Sequence, residues 1–390
     1  MTVVDIRNIV TNSRVELISI HPETIYYAEE KNEEGHRSLF ILEYDRQTGR
    51  ERTLANYFLT RPSFVQHFFD FPGEIVMVME NGGGTAWLLR LDKKTGEEKA
   101  LEEIHLVGGF FGCQALDEEH MIFFTCENTV HRQLFRQYRE ATGLSRIACL
   151  YDLTQHRYVY IRDPRICDRM PEELKVYTAY GQKHLLVLSC GGTEEEKERL
   201  YQEGRQEESG TDRAWLCPVQ DFIREVLEEK NQLSLRLLLS AGGEGLLRFA
   251  GMDDYNLYFR AKYFPTGDQR ICAVSKGTVR KEIVADLNLK EYEGPAFYYI
   301  DTNAAQVFRV EELPDGYHIT GALNSMVDAY YTKELGEFVA CIEDRFLVAR
   351  YEMTDEDETF TFYSVYDSRT DKQQSYECRC TVQGKTVVLY

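Results

Sequence analysis

"LFILEYDRQTGRERTL" (Leu39–Leu54) returns as "WLLRLDKKTGEEKAL" (Trp87–Leu101). It comes back in worn form as "ACLYDLTQHRYVYI" (Ala148–Ile161) and "FYSVYDSRTDKQQSYE" (Phe362–Glu377). Aligned on Asp45, Asp92, Asp152 and Asp367, each copy is an apolar run, a short polar break and a second, more polar run. The break suits a tight hairpin. An Asp at its start accepts backbone N–H groups two and three residues on. The residue four positions later needs φ > 0, which Gly49 and Gly96 adopt freely and His156 and Asp371 tolerate. A calcium loop of the EF-hand type needs further oxygen ligands at fixed spacing and a closing Glu, which these stretches lack.

The spacing of the copies decides the architecture. The aspartates lie 47, 60 and 215 residues apart, the last interval leaving room for degenerate copies. Several short strands per unit, repeated every 40–60 residues, mark a β-propeller of four-stranded antiparallel blades. Seven units fit, at 15–57, 64–103, 110–163, 175–240, 246–287, 296–334 and 338–380. The expectation is therefore an all-β single domain over 1–390 with seven blades, or six if the weak sixth unit is something else. Both ends, "TVVDIRNIV" and "GKTVVLY", look like strands and are expected to pair with each other, removing an open edge. With 12% aromatic residues, 25 of them Tyr, the composition also favours strands.

On these turns and strands the chain resembles the broad group of propellers with strand-D-x-x-T-G-strand repeats, such as the TolB-like and quinoprotein-like ones. There is no GH…WD signature and no recurring double glycine of the kelch kind. The resemblance implies architecture; propellers serve as enzymes, receptors and scaffolds alike.

Three segments interrupt the repeat, giving short helical insertions in blades 3 and 4. Asn128–Ser145 carries Leu134, Phe135 and Tyr138 at helical spacing, with Gly143 as a stop. Gly191–Asp212 is a charged helix running into a loop. Val219–Gln232 has an apolar stripe of Phe222, Ile223, Val226 and Leu227. The first two join second to third strands and should share a face; the third joins third to fourth strands and should lie opposite. Long loops on a rigid scaffold concentrate binding. The candidate binding residues are Arg132, Phe135, Arg136, Tyr138 and Arg139.

The formal charge of −20 disfavours nucleic acid, and no apolar stretch approaches a membrane span. Within it, Arg132 to Arg169 holds eight arginines against four acids, a local +4. Either it faces an acidic partner or it is neutralised by the glutamates of 194–208. Ten cysteines without a C-x-x-C pair read as buried thiols of a reducing compartment, hence the cytoplasm, and no signal peptide opens the chain. Cys378 and Cys380 share a strand face, but no histidine lies near enough in sequence to suggest a metal, and nothing calls for a cofactor. G-x-S-x-G, H-E-x-x-H and G-x-x-x-x-G-K-[ST] are absent. Glu80–Trp87 is glycine-rich but reads as a loop, and His67, His120 and His184 as strand or rim histidines. Asp253–Asp254 and Asp355 to Glu358 read as turns. The sequence thus favours a non-enzymatic module binding a protein or peptide. A hydrolase or lyase acting on a sugar or peptide, and a small-ligand sensor, stand as alternatives.

Overall fold

The computed structural model describes residues 1–7, 14–33, 36–59, 64–80, 85–277, 281–301, 306–323, 326–355 and 358–390. The central four residues of the glycine-rich run, 81–84, and residues 356–357 of the turn expected from Asp355 to Glu358 lie outside them. The fold is a β-propeller of four-stranded antiparallel blades. Seven four-stranded sheets, each formed by consecutive strands, occupy the seven segments expected from the sequence.

The blade count is corrected from seven to eight. Thr2–Asp5 pairs in parallel with Thr386–Leu389, which pairs antiparallel with Cys380–Gln383, forming an eighth sheet of three strands. The two ends do pair, but with four-residue strands that carry no D-x-x-T-G turn to announce a blade.

The repeated turn has the expected chemistry. Asp45 Oδ1 accepts the N–H of Gln47 and Thr48, both at 2.8 Å. Asp92 Oδ1 accepts Lys94 and Thr95, and Asp152 Oδ1 accepts Thr154 and Gln155. Asp367 Oδ1 accepts Arg369 N–H at 3.1 Å, and its Oδ2 accepts the Thr370 hydroxyl at 2.7 Å. Gly49, Gly96, His156 and Asp371 stand at φ between +53° and +74°. These N–H groups favour the charged carboxylate; hydrogen bonding from Thr95 holds Asp92 down at about 2.

Contacts gather the chain into two compact units, Asn12–Ser189 with Ala214–Leu238, and Met1–Thr11 with Cys190–Arg213 and Leu239–Tyr390. The first unit carries helices α1 (Arg132–Thr142), α2 (Pro164–Cys167) and, after α3 (Glu194–Gln202) of the other unit, α4 (Val219–Leu227). Its largest core joins Leu150, Leu185, Val187 and Trp215 to Phe222, Ile223 and Val226 of α4. The α4 stripe therefore covers the side of a sheet instead of projecting from a turn.

A rim histidine of this unit yields a first expectation. His120 Nδ1 lies 3.0 Å from Asp117 Oδ1, and that hydrogen bond raises the imidazole above its ordinary value. A raised histidine stabilises the fold fully below ~6.5 and loses that contribution as pH rises through its folded value. In a proton NMR titration His120 should show a midpoint above ~6.5, and Asp117→Asn should bring it down. An unchanged midpoint in that variant would remove Asp117 as the cause.

In the other unit, α3 is bound from within. Lys197 is 0% exposed, its Nζ 3.1 Å from both Asp212 Oδ1 and the Gly210 carbonyl. Asp212, also 0% exposed, accepts the N–H of Gly191 and Leu247 and pairs with Arg248 at 2.7 Å. Two buried charges are tolerable here because each oxygen has partners. Gly191 and Gly210 touch backbone to backbone, and a Cβ on Gly191 would fall inside the Gly210 carbonyl group. All ten cysteines are free thiols, six of them buried.

Candidate functional site

Helix α1 starts after Asn128, whose side chain accepts the His131 N–H at 2.8 Å, and stops at Gly143 in the left-handed region. Phe135 is 1% exposed. Its ring lies over Gly108 (φ +102°), where a Cβ would come within 2.6 Å of the ring. Phe135 is thus the helix's anchor and does not itself line the cleft described below. Tyr138 packs edge-on to Phe135, ring centroids 6.5 Å apart.

One turn either side of Tyr138, Leu134 and Thr142 complete a face that looks onto a cleft of about 580 Å³. Ile147 and Tyr160 line it from the sheet, with Leu144, Ile161, Arg162, Pro164 and Asn231 completing its walls. Leu134 is 44% exposed and Tyr160 lies half open, so apolar surface meets water here. Burial pushes the Tyr138 hydroxyl up to about 12, so it faces the cleft neutral.

The polar end of the cleft is rigid. Asp163, 1% exposed, accepts the Arg165 N–H at 2.9 Å and the Leu233 N–H at 2.8 Å, and binds the Arg165 guanidinium through both oxygens. Glu225 of α4 accepts the N–H and hydroxyl of Ser234, each at 2.7 Å. These two buried carboxylates fix the loop that brings Asn231 to the cleft. The third insertion therefore ends beside the first, not opposite it as its position between third and fourth strands suggested. Burying its apolar stripe against the sheet turns the segment back.

The three α1 arginines are exposed and locally paired. Arg132 and Arg139 meet Glu127 at 3.5 and 3.1 Å, and Arg136 meets Glu140 at 3.2 Å. In the other unit, Glu194 pairs with Arg260 and Lys262, and Glu203 and Glu208 pair with Arg205. Arg162, which the sequence did not single out, is the arginine in the cleft wall, paired with Glu229.

One constellation in this unit resembles a catalytic triad but lacks its geometry. Ser19 Oγ and Asp70 Oδ2 lie 3.3 and 2.6 Å from His21, but both from Nε2. A triad needs the serine and the acid on opposite ring nitrogens, and a ring flip would move both contacts together. Asp70 is further held by Lys93. Among the described residues no group of three or more His, Cys, Asp or Glu is placed to hold a metal ion, and no helix is long and apolar enough to cross a membrane.

Fold and site together define a β-propeller protein with an apolar cleft under a helical insertion. The chain matches no described protein family and no curated protein. Solved structures share its fold. A prolyl endopeptidase superposes with a TM-score of 0.50 at 11% identity, over 93% of this chain and 49% of that one. An uncharacterised Listeria monocytogenes protein gives 0.48 at 11%, over 96% of both chains. Dipeptidyl peptidase 4 of Porphyromonas gingivalis gives 0.49 at 10%, over 92% and 53%. The chain spans about half the length of the two peptidases, and likeness at these identities speaks to fold alone.

Proposed function

We propose that this propeller is a binding module whose cleft under α1 takes an apolar or aromatic side chain of a peptide or protein segment. The observation that carries this reading is the cleft itself. It sets exposed Leu134 and Tyr160 and neutral Tyr138 around one charged group, Arg162, on walls fixed by Asp163 and Glu225. Recognition sites are commonly mostly apolar, with a few placed polar groups that set orientation. Arg162 stands where it can receive a carboxylate or backbone carbonyl next to the anchoring side chain. The α1 arginines contribute little, since each is exposed and has an acid within 3.5 Å.

The test is display selection of random peptides on the full chain, followed by anisotropy titration of the enriched sequences. Enrichment should centre on an aromatic or large aliphatic residue with a neighbouring acid. Leu134→Asp should weaken binding about a hundredfold by placing a charge among apolar atoms. Arg136→Ala should change it less than about threefold. Selected peptides indifferent to Leu134→Asp would retire the reading.

The second reading is a hydrolase or lyase, supported by the prolyl endopeptidase that shares the fold. Against it stands the one-nitrogen geometry of Ser19, His21 and Asp70. Turnover of fluorogenic peptide or glycoside substrates by the full chain would reverse the preference.

A further inference from the structure

The second unit holds a cavity of another character, independent of the cleft. It is an open cleft of about 470 Å³ between the sixth and seventh blades. Its walls carry three glutamates, a lysine, an arginine and two tyrosines. Gly336 (φ +107°) forms part of it, and a Cβ there would strike the Arg350 carbonyl, so the chain approaches closely only because the residue is glycine.

Charge balance within the walls is uneven. Lys333 Nζ binds Glu312 at 2.7 Å, and Arg350 binds Glu352. Each wall cation is therefore matched. The Glu337 carboxylate, across the strand pair from Arg350, has no hydrogen-bond or ion-pair partner among the described residues, so the wall is one positive charge short.

The aromatic groups point the same way. Lys333 Nζ already lies 5.8 Å from the centroid of the Tyr317 ring, so these rings accept cations. Tyr331 stacks on Tyr317 at 5.1 Å and is only 5% exposed, yet its hydroxyl has no partner. Its electrostatic neighbours are Tyr317 and Glu337, both in the cavity wall. Tyr331 backs the Tyr317 ring and does not itself line the cavity.

We infer that this cavity binds an organic cation, an ammonium or guanidinium group that pairs with Glu337 beside the Tyr317 and Tyr351 rings. The group can belong to a free polyamine or to a lysine or arginine side chain of a peptide; the chemistry is shared. The acidic surface, at −20 overall, favours the approach of either.

Isothermal titration of the full chain at low salt tests this, with N-acetyl-lysine methylamide, N-acetyl-arginine methylamide and spermidine as probes. N-acetyl-norleucine methylamide is the neutral comparator. Saturable binding of the cations without the comparator is expected, and Glu337→Gln should weaken it about tenfold. Because Glu337 is exposed, the variant should melt as the wild type does, and Leu134→Asp should leave cation binding unchanged. Tighter binding of the blocked amino acids identifies a peptide source, and tighter spermidine a free amine. Equal binding of the comparator, an unchanged affinity in Glu337→Gln, or no cationic probe bound at about 50 mM would each overturn the inference.

Discussion

Replacing Asp212 with Ala should destabilise the protein by about 3–5 kcal/mol, measured by urea unfolding. The size follows from what the carboxylate leaves behind. Lys197 is wholly buried and would be left with only the Gly210 carbonyl as a partner. The N–H groups of Gly191 and Leu247 would lose their acceptor in the same step. Breaking one partner of a buried pair costs far more than the pair contributes, because the surviving charge has no water to turn to. The double variant Asp212→Ala with Lys197→Met should therefore be more stable than Asp212→Ala alone. A double variant as weak as the single one would show that the lost N–H acceptors, not the orphaned ammonium, dominate.

That ionic knot was invisible in the sequence, and the reason is general. Lys197 and Asp212 sit in a run dense with glutamates, where every charge reads as solvated. Nothing local tells one buried lysine from its exposed neighbours. What was legible is what local chemistry dictates. The Asp turns reported their own hydrogen bonds because donor and acceptor lie two or three residues apart. The same logic placed α1, α3 and α4 and all seven four-stranded sheets. Where the pattern lost its Asp, the turn itself went unread even though its sheet was placed. Tyr263–Gly267 forms the same turn, with Gly267 at φ +77° donating to the Tyr263 carbonyl at 2.8 Å, but "YFPTG" has tyrosine at the first position. The eighth sheet joins residues some 380 apart, beyond the reach of any periodicity. Of the candidate site, the helix and Tyr138 were legible. The split of labour along α1 was not, since helical spacing gives a face and cannot say which residue meets a glycine across the gap. Arg162 and Asn231 come from two further connections, and only the buried carboxylates of Asp163 and Glu225 bring them to α1.

Phe135 is where fold and proposed binding can be separated. Phe135→Ala removes a ring from a site that backbone cannot refill, because Gly108 offers no side chain to collapse into the space. Such truncations cost about 3–5 kcal/mol. Here the loss should fall on α1, which has one buried side chain and no carboxylate in its first turn to help it stand alone. Amide hydrogen exchange across Arg132–Thr142 should accelerate by about two orders of magnitude or more, while Leu185 and Val187 in the sheet keep their protection. Peptides selected on the wild type should lose affinity as well, although Phe135 does not line the cleft, because Leu134 and Tyr138 are held in place by its anchorage. Phe135→Leu should restore part of both properties. If exchange accelerates but peptide affinity holds, the ligand does not depend on an ordered α1, and the cleft must bind through Tyr160, Ile161 and Arg162 alone.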